Sequence, residues 1–207
     1  NAPPHTYLEL AETLTAAAND TADWHLKWDE STRALWSERR DAGSPWLVTD
    51  FVTLGAPLAH AQLLLARNAK DFQRRKNERE LPTTPPILET GGVFSFLRTF
   101  TLPGGELWTI RVMHHAAWGA QVRWTNLFFP SRALLFGDFI GGPVTPAFGL
   151  GVRDVAVRTR RRFGWLAHTV YWQPDPHDES DPDSAITRLR EAIDLGCRSF
   201  PKSCPYV

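Results

Sequence analysis

Apolar and polar positions alternate along the chain with two different periods, and the switches between them mark the elements. Tyr7, Leu10, Leu14 and Ala18 recur at helical spacing. Thr6 with Glu9 fits a capping box, in which hydroxyl and carboxylate each satisfy a free amide at a helix start. A first helix is therefore predicted over 6–19 and a second over 29–42, the latter stopped by Gly43 with Pro45 just beyond. From Trp46 to Leu54 the period changes. This run is rich in β-branched and aromatic residues, nearly continuous in apolar character and bounded by Pro45 and Gly55, as for a strand covered on both faces in a parallel sheet.

The spacing then predicts one long charged helix over 62–81, broken by Pro82, Pro85 and Pro86. Residues 91–115 read as two strands around Pro103-Gly104-Gly105-Glu106, a hairpin. Further strands are predicted at 121–129 and 153–162, the second with the basic run Arg158 to Arg162 at its exposed end. A closing helix over 184–196 places Ile186, Leu189 and Ile193 on one face, with Gly196 as its cap. Helices interleaved with apolar strands predict an α/β fold, mainly a parallel sheet with helices on both faces. The helix and hairpin over 62–113 read as an insertion or cap on a single domain spanning 1–207.

Composition narrows the function classes. A chain of 207 residues with 43% hydrophobic content can bury a sizeable core. Lys plus Arg equals Asp plus Glu at 23 each, so a broad nucleic-acid footprint is not expected, and the Arg158–Arg162 run reads as solvated surface. No apolar run approaches the ~20 residues that span a bilayer, and no leader is visible, so cytoplasm is the default location. The chain opens at Asn1 rather than Met, which is read as a sign that an N-terminal portion could precede it. Cys197 and Cys204 are spaced either for a small disulfide loop or as free thiols.

No cofactor or metal is implied. The acidic stretch 174–183 lacks the Gly and closing Glu of a calcium loop. His114 and His115, adjacent on a predicted strand, point to opposite faces and make a poor joint ligand set.

In open α/β sheets, ligands and catalytic groups gather beyond the carboxyl ends of the strands. Three motifs fall there: "TLGAPL", "GDFIGGP" and "LAHTVYW". Asp138 and His168 are thus an acid and a base in successive strand-end loops. In a triad the acid orients the imidazole, and the imidazole takes the proton of the nucleophile. His60 follows "GAPLA", His115 ends the hairpin, and Trp165 and Trp172 flank His168; these four are weaker candidates for lining a substrate pocket.

"FVTLGAPLAHA", "RWTNLFFPSRALLFGDFIGGPV" and "HTVYW" together resemble the later half of lipase- and esterase-like α/β-hydrolases, over about Leu47 to Trp172. The resemblance implies Asp138 as triad acid, His168 as triad base, and a small-molecule ester or lipid substrate. That family carries its nucleophile in a Gly-x-Ser-x-Gly elbow ahead of these motifs. No serine of this chain lies in that pattern: Ser44 precedes a predicted strand, Ser95 is inside one, and Ser131 comes only seven residues before Asp138. Two readings follow. The chain is the C-terminal part of a hydrolase whose serine lies elsewhere, or it is a binding or scaffold protein on a hydrolase fold.

Overall fold

The computed structural model describes residues 24–43, 47–130, 140–158, 171–172 and 181–193. The predicted helix over 6–19 and both cysteines lie outside them. The chain divides into two compact units, each built from distant stretches. One holds residues 1–49, 62–123 and 148–151; the other holds 50–61, 124–147 and 152–207. The chain therefore leaves the second unit at Gln62 and returns to it at Trp124.

In the first unit, α1 spans Trp24–Asp41. Trp28, Thr32, Leu35 and Trp36 form its buried stripe, the i, i+4, i+7, i+8 spacing of one helical face. The Thr32 hydroxyl donates to the Trp28 carbonyl (2.8 Å), and the Trp36 indole N–H donates to the Gln121 carbonyl (2.6 Å). Trp28 and Leu35 pack with Phe94, Ala117 and Ala120. Gly43, at φ +72°, ends the helix as predicted, because a left-handed residue after a helix costs glycine little.

The long helix predicted over 62–81 is two helices, α2 (Ala61–Leu65) and α3 (Ala69–Asn77). Asn68 restarts the second: its extended backbone leaves the helix, and its side-chain oxygen accepts from the Asp71 amide at 2.9 Å. The hairpin forms as predicted, with β2 (Ser95–Thr101) and β3 (Leu107–Met113) antiparallel and without a bulge. A 3-10 turn, His115–Ala120, follows it. Gly149 belongs to this unit and lies against the Thr84 carbonyl at φ +106°; a Cβ there would sit 2.6 Å from that oxygen.

The second unit holds a three-stranded sheet in the order β1-β4-β5, from β1 (Asp50–Leu54), β4 (Arg123–Phe128) and β5 (Val152–Ala156). β4 and β5 are parallel, Trp124 opposite Val152 through Phe128 opposite Ala156. β1 runs the same way beside β4: the Arg123 amide bonds to the Thr49 carbonyl, and six residues further along β1 the Gly55 amide bonds to the Leu127 carbonyl. The protein is thus mixed α/β, with a parallel sheet plus helices. Strand alternation sorts the side chains. Val52, Leu54, Leu127, Phe129, Val155 and Val157 share one face and pack with Tyr171, Ala185 and Leu189. Phe51, Thr53, Trp124, Asn126 and Asp154 belong to the other.

Helix α4 (Thr145–Phe148) is one short turn, and α5 (Ala185–Ala192) closes the described chain. Ser184 caps α5 by accepting from the Thr187 amide. Its inward face is Ala185 and Leu189, not the predicted Ile186–Leu189–Ile193 line; Ile193 is exposed. Residues 185 and 189 are one turn apart on the face over the sheet, whereas Ile193 is the C-cap, beyond the last helical residue Ala192. The strand predicted at 153–162 likewise starts earlier and is shorter, Val152–Ala156.

Candidate functional site

Parallel strands send their carboxyl ends to one edge of the sheet. At that edge β1 gives way to Gly55 and the 3-10 turn Pro57–His60. The central strand continues through Phe129 and Pro130 toward residues 131–139, which carry Asp138. β5 continues through Val157, whose amide donates to the Phe128 carbonyl (2.9 Å), toward residues 159–170, which carry His168 and Trp165. Asp138, His168 and Trp165 themselves lie outside the described residues.

The described residues on either side of these two segments are held firmly. Tyr171, three residues after His168, is buried, and its ring packs against Phe129 at a tilt of 40° with centroids 4.5 Å apart. The Phe129 amide donates to the Tyr171 hydroxyl at 2.9 Å. The aromatic pair Tyr171-Trp172 thus splits into an anchor and a surface residue: Trp172 is 64% exposed. After Asp138, the turn Gly141-Gly142-Pro143 leads to Val144, which is fully buried.

A polar row across the sheet fixes that turn. Thr53, Asn126 and Asp154 stand side by side on β1, β4 and β5. The Trp124 indole N–H donates to the Thr53 hydroxyl (3.2 Å), and that hydroxyl donates to Asn126 Oδ1 (2.8 Å). Asn126 Nδ2 donates to Asp154 Oδ1 (2.7 Å) and to the Gly142 carbonyl (2.8 Å). The Gly142 carbonyl can only accept, so the amide has one permissible orientation. The Asp154 carboxylate also takes the Val144 amide (2.9 and 3.0 Å) and the Thr145 amide (2.9 Å), and the Thr145 hydroxyl donates to the Val152 carbonyl (3.0 Å). Three donors on its two oxygens, two of them backbone amides, tie Asp154 to the start of the 144–145 backbone. Asn126 is completely buried, so each of these bonds stands in place of water.

Sequence reasoning passed over this row. The available signal was polar Asn and Asp at the centres of two apolar strands, where each needs a partner.

The remaining candidates are dispersed. His60 ends the turn after β1 and is exposed. His115 is exposed and belongs to the other unit, while its neighbour His114 is 4% exposed. Neither ring nitrogen of His114 has a hydrogen-bond partner among the described residues; the Ile87 backbone approaches without closing one. Burial holds this imidazole below its ordinary value of 6.5, and Arg79 and His115 push the same way against the pull of Glu89. Among the described residues no cluster of three or more His, Cys, Asp or Glu could hold a metal, and no helix is long and apolar enough to cross a membrane. Comparison with protein-family models, with curated proteins and with solved structures finds no match for this chain.

Proposed function

We propose that the protein acts in hydrolysis of carboxylic esters, lipids included, on an α/β-hydrolase fold, with Asp138 and His168 as acid and base. The observation that carries this reading is topological. The segments bearing Asp138 and His168 leave adjacent parallel strands, β4 and β5, at the same sheet edge. Ile140 and Tyr171 lie two and three residues from them. A fully extended chain spans at most about 3.6 Å per residue, so each group is tethered close to an ordered anchor.

In this reading His168 takes the proton of a serine hydroxyl as its oxygen attacks the acyl carbon. The imidazolium then returns that proton to the departing alkoxide. Water, activated by the same base, releases the acid and restores the serine. Asp138 accepts from the far ring N–H and keeps the near nitrogen free to act as base. Asn126 and Asp154 hold the turn behind Asp138. The 207 residues contain no Gly-x-Ser-x-Gly, so the serine comes from outside them.

The test uses the natural gene product. It should label with a fluorophosphonate and turn over short p-nitrophenyl esters, with His168→Ala and Asp138→Asn each lowering kcat by roughly 10³-fold or more. Turnover that survives His168→Ala would sink the proposal. A gene product that neither labels nor turns over ester would transfer the site to the binding reading.

A further inference from the structure

We propose that the hairpin is a self-association site, through which β3 of one copy pairs antiparallel with β3 of a second copy about Ile110. Among the described residues the hairpin is a two-stranded sheet of its own, so each strand keeps one edge that no described strand pairs. Such ribbons are marginal in water unless another surface completes them. Each strand carries a single charge, Arg98 or Arg111, neither contains proline or lysine, and the ladder has no bulge. Leu97, Leu107, Trp108 and Met113 are 64, 68, 54 and 42% exposed.

The hydrogen-bond phase shows which groups point away from the partner strand. The Leu102 amide bonds to the Glu106 carbonyl, and the His114 amide bonds to the Phe94 carbonyl. Both pairs are even-numbered, and the register runs without interruption between them. The backbone groups of Trp108, Ile110 and Val112 therefore point toward β2, and those of Leu107, Thr109, Arg111 and Met113 point outward. A two-fold axis at Ile110 sets Thr109 opposite Arg111 and Leu107 opposite Met113 of the second copy. Every outward amide and carbonyl of β3 then has a partner.

The side chains agree with this register. Trp108 meets Val112, Leu107 meets Met113, and Ile110 meets its own copy at the close, non-hydrogen-bonded centre; aromatic–β-branched and aliphatic pairs of this kind stabilise sheets. No like charges oppose. The corresponding pairing of β2 about its own centre sets Arg98 against Arg98, which disfavours it and selects β3. The result is a four-stranded sheet, β2-β3-β3-β2, with an isologous interface.

Thr109→Pro and Thr99→Pro make a matched test by equilibrium sedimentation. The two residues face each other, and both lose the same hydroxyl–hydroxyl contact of 2.8 Å. Only Thr109 offers its amide to the second copy; the Thr99 amide points to the β2 edge. The parent should be a concentration-dependent dimer. Thr109→Pro removes two ladder bonds per dimer and should raise its Kd by about thirtyfold, while Thr99→Pro leaves it within about threefold. Ile110→Lys and Ile110→Glu should each be monomeric alone and associate when mixed. Far-UV circular dichroism confirms folding of each variant. A parent that stays monomeric to roughly 100 μM, a dimer indifferent to Thr109→Pro, or equal loss in both proline variants overturns the proposal.

Discussion

The two sheets of this protein solve the same problem in opposite ways. In the β1-β4-β5 sheet, polar groups are buried and satisfied: Asn126 is completely buried, yet its amide makes three hydrogen bonds. In the hairpin, apolar groups are exposed and the outer backbone edges have no strand partner among the described residues. A buried polar row costs little while every member is bonded and a great deal once one is removed. An exposed apolar ribbon costs little to mutate in the isolated chain, because its surface is already wet. The sheet should therefore be sensitive in stability and the hairpin in association.

The largest effect should come from Asp154→Ala. It strands the Asn126 amide and the Val144 and Thr145 N–H groups together, and should cost about 3 kcal/mol or more in urea unfolding. A loss below about 1 kcal/mol would mean that water replaces the carboxylate and that the row is not the clamp described here. A smaller effect concerns pH. His114 is held below its ordinary value by burial, so the unfolded chain takes up a proton first as pH falls through 6.5. Stability should then decline from 6.5 downward, and it is fully present above that value. His114→Phe should flatten this part of the profile relative to the parent, measured as thermal midpoint against pH; an unchanged difference between the two would remove His114 from the account. The smallest effect should be Leu107→Ser on the hairpin. At 68% exposure it should change unfolding free energy by under about 0.5 kcal/mol, measured at a protein concentration low enough to keep the chain monomeric.

What could be read in advance followed the range of the interactions. The hairpin was legible because Pro103-Gly104-Gly105-Glu106 is a local turn signal between two apolar runs. The end of α1 at Gly43 was legible for the same reason. The break at Asn68 was also local, yet the charged periodicity of 62–81 hid it: Asn68 followed three residues later by Asp71 is a cap signal inside a helical pattern. The inward face of α5 was misread because Ile186 and Ile193 are more apolar than Ala185. The helix chose the small residue that lets it approach the sheet.

By itself the sequence determined most element types, the hairpin and its turn, and the parallel α/β character, since each rests on periodicity or on turn residues within about ten positions. It also marked Asp138 and His168 as candidates. Only the tertiary structure decided that Thr53, Asn126 and Asp154 form one row, and that the segments carrying the acid and the base leave neighbouring strands. Those facts depend on strands far apart in sequence, 73 residues for the Thr53–Asn126 bond and 28 for the Asn126–Asp154 bond. Their pairing is set by burial of the opposite face, where Leu54, Leu127 and Val155 pack beneath α5. A chain cannot announce such a contact locally, because its free energy arises only once water has left both partners.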